Sequence, residues 1–348
     1  MNNVRWELYP RVAHTELPRA WLQMQANLQR KPKTIDAYGR CLNDYLDFCE
    51  KQDVVPEAIT REQVALYVHD LATRPNPKGA NILSIGTGRG LSNSTLQQRL
   101  TVLRLFCDYL VEKRLRPDNP VGRGHYVAGK GFGGARDRGL IPHYQKLPWL
   151  PDDGEWQDIL KTLKDERIRN QVMLLLAYDG ALRREELVTL EISDFDVAYR
   201  QIRIRAEHAK NGRERVVGYG KITSRCLEAY LQQRRTLSAK RGPLFLSESH
   251  RNTAGPLSLV MWSKVVQGIA RRAGLPQFTT HTPRHLRLTH MARSKMELHQ
   301  IATYAGHRSL EITMLYIHLG GVELNEAVSR SLAGFESWID CILGEGQK

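Results

Sequence analysis

Cysteine is scarce in this sequence of 348 residues, and long hydrophobic runs are missing. The five cysteines are Cys41, Cys49, Cys107, Cys226 and Cys341. They form no CxxC pair, which favours reduced thiols packed in a core over metal ligation or a disulfide framework. No apolar run approaches the ~18 residues of a membrane span, and the N-terminal residues do not form a signal-peptide core. We therefore expect a soluble protein of the cytoplasm, without metal or organic cofactor.

Acidic residues are in the minority, because 37 Asp and Glu stand against 51 Lys and Arg. The formal net charge of +14 and the pI of about 9.7 suit a polyanionic partner, whose binding would release counterions and depend on salt. A basic protein that is merely soluble is the alternative. The sequence has no cluster of carboxylates for the metal ions of a metal-dependent nuclease, which disfavours that class of enzyme.

The first third of the chain predicts a compact all-α domain. Apolar residues recur with helical spacing in four stretches that begin at Glu16, Thr34, Thr60 and Ser94. We expect Thr34 to cap the second helix, Thr60 to open the third with a capping box, and Ser94 to open the fourth. Residues 1–14 show no period, which predicts a loose N-terminal arm.

Two glycine-rich segments interrupt the helical pattern. The run Gly86-Thr-Gly-Arg-Gly90 lies in a loop at residues 74–90, but no strand precedes it and its spacing matches neither GxGxxG nor a Walker loop. We interpret it as a surface loop. Residues 121–148 hold five Lys and Arg among many glycines, so they will not pack a core. This linker either lies along a phosphate backbone or serves as a plain connector.

The pattern near Trp149 indicates a second domain, whose first helix is capped by Asp152 or Asp153. Residues 170–178 are almost wholly apolar, which predicts a buried helix. We expect a β-hairpin in which residues 201–205 pair with residues 215–219 and Lys210-Asn-Gly212 forms the turn. Two further helices are expected at residues 222–235 and 257–273. We divide the chain into arm, helical domain, linker, second domain and tail at residues 1–14, 15–116, 117–148, 149–328 and 329–348.

Six side chains of this second domain carry groups suited to phosphate chemistry: Arg183, Lys210, His281, Arg284, His307 and Tyr316. Guanidinium groups bind pairs of phosphate oxygens, imidazole and ammonium groups donate hydrogen bonds or protons, and a phenol is a nucleophile. Phosphoryl transfer needs such a set, because its catalysis is mostly positioning and charge stabilisation. Taken singly, Arg183 and Lys210 are typical of structural and solvated residues. Glu186 is placed to orient the guanidinium of Arg183.

The order and spacing of these motifs resemble the tyrosine recombinase (phage integrase) family. The matching stretches are Ala181-Leu-Arg183-Arg-Glu-Glu186-Leu, Lys210-Asn-Gly-Arg-Glu-Arg, His281-Thr-Pro-Arg284-His285, Gly306-His307 and Tyr316. Pro283 and Ala305 stand where leucine is common in the family, but neither change removes a reacting group. The resemblance implies a mainly α fold of two domains: an all-α, SAM-like core-binding domain and an α+β catalytic domain with a small antiparallel sheet.

The resemblance also implies a role for each residue. Tyr316 would attack a DNA phosphodiester, which leaves a 3′-phosphotyrosyl link and a free 5′-hydroxyl. Arg183 and Arg284 would neutralise the non-bridging oxygens of the transition state, and Lys210 would protonate the leaving 5′-oxygen. Both histidines of the set would donate hydrogen bonds, and His281 would help to move the proton of the tyrosine. No metal and no ATP are required. His285 is interpreted as a supporting residue.

Contacts with DNA are expected on the polar faces of the second and fourth helices. The residues on these faces are Lys33, Arg40, Asn43, Gln97, Gln98, Arg99 and Arg104. The alternative is that both faces are only solvated. The tail carries an apolar stripe at residues 326–343. It would pack on its own domain or, as in relatives, dock into a neighbouring protomer and link a homotetramer on paired recombination sites in double-stranded DNA.

The resulting hypothesis is a site-specific recombinase of a mobile element, such as an integrase or resolvase that acts in DNA integration or transposition at a bacterial nucleoid. A recombinase of the Xer type, which resolves chromosome or plasmid dimers, is the alternative within the same chemistry. The helical domain and the apolar tail disfavour a type IB topoisomerase. A DNA-binding protein that has lost catalysis is the alternative from another class, but all six reacting positions are filled.

Overall fold

The computed structural model describes residues 4–75, 90–122, 140–141 and 147–320, together with residues 329 and 332. The chain divides into two compact units, Met1–Gln145 and Lys146–Lys348. Both units consist mainly of helices, and the second also contains a small antiparallel sheet. The expected fold class is therefore confirmed. None of the helices in the described part of the chain combines the length and the apolarity that crossing a membrane requires.

The first unit contains α1 (Pro10–His14), α2 (Glu16–Asn27), α3 (Pro32–Gln52), α4 (Arg61–Thr73) and α5 (Asn93–Glu112). Short 3-10 helices at Trp6–Leu8 and Pro56–Ala58 precede α1 and α4. The apolar helix faces predicted from the sequence meet in one core, in which five large aromatic side chains are fully buried: Tyr9, Trp21, Tyr45, Tyr67 and Phe106.

Residues 4–14 belong to this core. Val4, Tyr9 and Val12 are buried in it, and the Tyr9 hydroxyl donates a hydrogen bond to Oδ1 of Asp36 on α3 at 2.5 Å. The prediction of a loose arm is therefore wrong for these residues. One 3-10 turn and a five-residue helix direct too few apolar side chains inward to produce a recognisable period.

The helix starts of the first unit follow from their capping residues. Thr60 and Gln63 form the predicted capping box, with Gln63 N donating to Thr60 Oγ1 at 3.3 Å and Thr60 N to Gln63 Oε1 at 2.9 Å. The predicted starts at Thr34 and Ser94 lie three and two residues after the observed N-caps, Lys31 and Ser92. Pro32 occupies the first position of α3, where its fixed φ suits a helix and its missing N–H costs nothing, and Ser92 caps α5.

The polar face of α5 also differs from the expectation. The guanidinium of Arg99 forms an ion pair with Asp44 on α3. Asp44 accepts further hydrogen bonds from the Tyr67 hydroxyl at 2.9 Å and from Arg74 Nη2 at 2.6 Å. This inward pairing removes Arg99 from the set of side chains expected to face DNA.

The second unit contains α6 (Asp153–Lys164), α7 (Ile168–Asp179), α8 (Arg184–Val188), α9 (Lys221–Leu237), α10 (Leu259–Arg272), α11 (Thr282–Arg293), α12 (Leu298–Ala305) and α13 (Leu310–Gly320). Asp152 caps α6 through a capping box with Glu155, as one of the two predicted caps. The apolar helix α7 packs against α9 and α11, as its composition predicts. Around it lies a core with four large aromatic side chains: Trp262, Tyr230, Phe245 and Phe278.

The sheet consists of β1 (Phe195–Asp196), β2 (Gln201–Ile204) and β3 (Arg215–Gly218) in that order, with both pairs antiparallel. The predicted hairpin is confirmed, with Ile202 opposite Val217 and Ile204 opposite Arg215. The strand β1 was not predicted, because two residues are too few to show alternation. The loop that joins β2 to β3, residues 205–214, carries Lys210.

Three predicted features lie wholly or mostly outside the described residues. They are the glycine-rich run at residues 86–90, the basic linker at residues 121–148 and the apolar stripe of the tail at residues 326–343.

Candidate active site

A turn after α7 carries the first arginine of the predicted set. Ala181 takes a positive φ of 46° there, and the chain then places Arg183 at the N-cap of α8. Arg183 Nη1 donates to Glu186 Oε1 at 2.9 Å, and Nη2 donates to the carbonyl of Gly306 at 3.1 Å. The backbone N–H of Arg183 donates to the other Glu186 oxygen at 2.8 Å. Glu186 therefore orients this guanidinium, as the sequence predicted.

Glu186 is 1% exposed and anchors a second arginine. Arg215, the first residue of β3, donates from Nη1 and Nη2 to the two carboxylate oxygens at 3.0 and 2.7 Å. Burial by itself would raise the pKa of Glu186. The hydrogen bonds and positive charges of Arg215 and Arg183 outweigh that effect and lower the pKa to about 2. The carboxylate is therefore ionised at neutral pH and holds both guanidinium groups.

Tyr304 on α12 ties three elements of the site together. Its hydroxyl donates to the carbonyl of Asp179 at 2.7 Å, where α7 ends, and accepts from the N–H of Gly218 at 3.2 Å, where β3 ends. Its own carbonyl accepts from Arg215 Nε at 2.9 Å. Sequence reasoning did not single out Tyr304 or Arg215. The only signal was the alternation of β3, which puts Arg215 on the same buried face as Val217 and so calls for a buried acid.

The second arginine of the set lies on α11, whose second residue is Pro283. Arg284 is 4% exposed, and its Nη1 and Nη2 donate to the carbonyls of Ala181 and Ala305 at 2.5 and 2.6 Å. Burial and the nearby charge of Arg183 lower its pKa to about 9, so the guanidinium keeps its charge at neutral pH. Backbone carbonyls therefore hold Arg284 in place without neutralising it.

His307 follows a glycine that ends α12 in the left-handed conformation. Gly306 has a φ of 62°, and a Cβ at this position would lie 3.1 Å from Arg215 Nη1, so a side chain would be both strained and crowded. His307 Nε2 lies 3.0 Å from Arg284 Nη2, and its Nδ1 lies 2.8 Å from Thr313 Oγ1. Burial and the charges of the two site arginines lower its pKa to about 3. The imidazole is therefore neutral.

Tyr316 on α13 is 3% exposed and lies between two histidines. Its ring stacks on His307, with ring centroids 5.9 Å apart and planes inclined by 10°, and on His285, with centroids 5.8 Å apart and planes inclined by 27°. The hydroxyl oxygen lies 2.8 Å from His285 Nδ1. Burial raises the pKa of the phenol, and the positive charges of Arg284 and Arg183 oppose part of that rise.

The two remaining residues of the set are exposed. Lys210 lies in the loop between β2 and β3, and the neighbouring Asn211 donates from Nδ2 to the carbonyl of Gly306 at 3.4 Å. His281 caps α11, and desolvation together with nearby cations, Lys210 among them, lowers its pKa. In the part of the chain that the structure describes, neither side chain forms a hydrogen bond to the other residues of the set.

The structure thus brings four of the six predicted residues into one contiguous cluster: Arg183, Arg284, His307 and Tyr316. Lys210 and His281 lie at its rim. The cluster offers fixed N–H donors, a surplus of positive charge and a phenol. This set is suited to an anion with several oxygens, and above all to a phosphate ester. Among the described residues, no group of three or more His, Cys, Asp or Glu side chains could hold a metal ion.

The chain is similar to known proteins over most of its length. The profile of the phage integrase family matches residues 151–321. The tyrosine recombinase XerC of Haemophilus influenzae (strain 86-028NP) is 26% identical over 324 residues, which span 91% of this chain and 97% of that protein. The tyrosine recombinase XerD of Oceanobacillus iheyensis is 24% identical over 302 residues, which span 84% of this chain and 90% of that protein.

Solved structures share the fold. The XerH site-specific recombinase bound to palindromic difH substrate in a post-cleavage complex is 19% identical, with a TM-score of 0.61 over 85% of this chain and 79% of that one. A lambda integrase dimer bound to a COC′ core site is 14% identical, with a TM-score of 0.61 over 86% of this chain and 94% of that one. The family model and the relatives that match over most of the chain agree: residues 151–321 form a domain of the phage integrase family, and the chain as a whole is similar to tyrosine recombinases.

Proposed function

We propose that this chain is a site-specific DNA recombinase, which cuts one strand of duplex DNA through a 3′-phosphotyrosyl link to Tyr316 and rejoins it to another strand. The observation that carries the proposal is the chain of contacts from the phenol to the cations. The Tyr316 ring stacks on His307, and His307 Nε2 lies 3.0 Å from Nη2 of the buried Arg284. A nucleophile therefore lies beside the charges that its reaction needs.

The residues of the cluster divide the work of a transesterification. The Tyr316 oxygen attacks phosphorus while the bond to the 5′-oxygen breaks, and Lys210 donates a proton to that leaving oxygen. Arg183 and Arg284 bind the non-bridging oxygens, and His307, whose Nε2 accepts from Arg284 Nη2, helps to position that guanidinium. The energy of the phosphodiester is retained in the phosphotyrosine, so that attack by another 5′-hydroxyl reverses the reaction without ATP.

Double-stranded DNA with paired recombination sites is the proposed partner. The net charge of +14 supports binding to a polyanion. The relatives whose structures share the fold include an XerH complex with difH substrate and a lambda integrase dimer on a core site. We further propose that residues 15–116 and 149–328 both contact the duplex, that residues 117–148 link them, and that the tail at residues 329–348 connects four protomers on two sites.

Two biological roles fit this activity. The integrase or resolvase of a mobile element is the first, and a structure of the Tn1549 transposon integrase in complex with transposon right end DNA shares the fold, with a TM-score of 0.61. A recombinase of the Xer type is the second. It is favoured by relatives named XerC that match 91% of this chain at 26% identity. The position of the target sequence in the genome separates them, at the boundaries of an element that carries the gene or at a locus outside any such element.

A covalent trapping experiment tests the chemistry. The Tyr316→Phe variant first selects bound duplexes from a random library, and the enriched sequence is then made as nicked substrates whose short 5′-hydroxyl fragment diffuses away after cleavage. The wild type is expected to become covalently attached to this DNA, also in the presence of EDTA, and Tyr316→Phe is not. Binding without any covalent product from the wild type would favour the catalytically silent DNA-binding protein and contradict the proposal.

A further inference from the structure

His285 is the side chain that holds the nucleophile in this structure. Its Nδ1 lies 2.8 Å from the Tyr316 hydroxyl oxygen, and the two rings stack with their centroids 5.8 Å apart. In the described part of the chain, no other hydrogen bond is made by that hydroxyl. The resemblance assigned the proton of the tyrosine to His281 and gave His285 only a supporting place, so this contact was not expected.

The other histidines of the site are less suited to take a proton from Tyr316. Both ring nitrogens of His307 are engaged, Nε2 with Arg284 and Nδ1 with Thr313. His281 is exposed and makes no hydrogen bond to the phenol. His285 alone directs a ring nitrogen at the hydroxyl, from a position fixed on α11, where its carbonyl accepts a hydrogen bond from Thr289 Oγ1 at 3.0 Å.

We propose that His285 is a catalytic residue, the general base that accepts the proton of Tyr316 during strand cleavage and returns it during rejoining. This inference rests on the proposed function. In the tautomer with its proton on Nε2, the ring accepts the O–H of Tyr316 at Nδ1, which leaves the oxygen lone pairs free for phosphorus. The Oη–P bond forms, the P–O5′ bond breaks, the phenol proton passes to His285 Nδ1, and the leaving 5′-oxygen takes a proton from Lys210.

The surroundings of His285 make it a neutral acceptor before the reaction. Burial, together with His281 and Arg284 on its own helix, lowers its pKa to about 4, and its neighbour His307 is neutral as well. A bound phosphodiester adds a negative charge among these cations and thereby raises the basicity of the imidazole when substrate is present. The base would thus be strongest when there is a phosphate to attack.

The substitution His285→Asn separates proton transfer from positioning. An asparagine Oδ1 can accept the same hydrogen bond but cannot take up the proton. His290→Asn is the matched control, because His290 lies on the same helix and forms the same kind of pair, with its Nδ1 2.7 Å from the Tyr178 hydroxyl. Both variants are compared with the wild type on the nicked substrate, under single-turnover conditions, and DNA affinity is measured in parallel.

We expect His285→Asn to slow covalent attachment by about 10²-fold or more, which is the usual contribution of a general base, while its DNA affinity matches that of His290→Asn. A fluorinated tyrosine at position 316, with a more acidic phenol, should restore much of the lost rate in His285→Asn and change the wild type little. A rate equal to that of His290→Asn, or a slow variant that the acidic phenol does not rescue, would overturn the inference and leave the recombinase proposal intact. Failure of the wild type to form any adduct would overturn both.

Discussion

Glu186 is the acid on which the arginines of the site depend, and its removal should be costly. The carboxylate is 1% exposed, binds Arg215 through both oxygens at 3.0 and 2.7 Å, and binds Arg183 at 2.9 Å. Removing one partner of a buried ion pair leaves an uncompensated buried charge, which costs about 3–5 kcal/mol. We therefore expect Glu186→Gln to destabilise the second unit by an amount of that order.

The lowered pKa gives a second route to the same magnitude. The pKa of Glu186 falls from 4.5 to about 2 on folding. At about 1.4 kcal/mol per pKa unit, this corresponds to about 3 kcal/mol of stability. Because the pKa is lower in the folded state, this stability is fully present above pH 4.5 and is lost as the pH falls toward 2. At neutral pH the whole effect should therefore be measurable, as a decrease of about 6–20 °C in the melting temperature.

A double-mutant cycle of Glu186→Gln and Arg215→Met provides the assay. Glu186→Gln leaves the buried Arg215 without its acid, and Arg215→Met leaves the buried Glu186 with Arg183 alone. The double variant leaves neither mismatch, so it should cost clearly less than the sum of the two. Strand cleavage should remain impaired in the double variant, because Arg183 has lost the carboxylate that orients it. The exposed pair of Asp158 and Lys161, 2.7 Å apart, supplies the control Asp158→Asn, expected to cost less than about 1 kcal/mol. A loss from Glu186→Gln as small as that of the control would refute the reasoning.

Two further outcomes follow from the charges of the site. Lys210→Ala should slow strand cleavage about 10²-fold or more. A DNA substrate with sulfur in place of the leaving 5′-oxygen should restore the rate, because a thiolate leaves without a proton. If the rate is not restored, Lys210 is not the acid. The fold lowers the pKa of His285 to about 4 and that of His307 to about 3. Below pH 6.5 the unfolded chain therefore binds more protons than the folded one. The free energy of unfolding should then decrease as the pH falls, by about 1–2 kcal/mol per pH unit near pH 6. Urea unfolding at pH 7 and 5.5 measures this slope, and a variant with both histidines replaced by amides should show a flatter one.

Local sequence signals predicted the elements of this fold well where one residue decides the geometry. The reciprocal bonds of Thr60 and Gln63 form the expected capping box, and the turn at Lys210-Asn-Gly212 joins the expected strands. The errors lie where two such signals compete. Thr34 is a good capping residue, but Pro32 is well suited to the first position of a helix, and α3 therefore begins at Pro32, before Thr34.

The sequence marked the residues that we propose to react, but not those that support them. The six residues stand out through the order and spacing of motifs that resemble the tyrosine recombinase family. The bonds that position them join residues far apart in the chain, such as Arg215 with Glu186 and Tyr304 with Asp179. No local period reports such a pair. The role of His285 was missed for the same reason, since its partner Tyr316 lies two helices further on.

The way in which the arginines are held makes this cluster suited to bind an anion. A carboxylate would fix a guanidinium and also cancel its charge. Arg284 is held instead by the carbonyls of Ala181 and Ala305, and Arg183 by the carbonyl of Gly306 together with its share of Glu186. One buried acid therefore stands against three guanidinium groups when Arg215 is included. A bound phosphodiester would relieve this surplus charge. Its oxygens would meet donors that are already in place, so that no reorganisation is needed as charge develops on them.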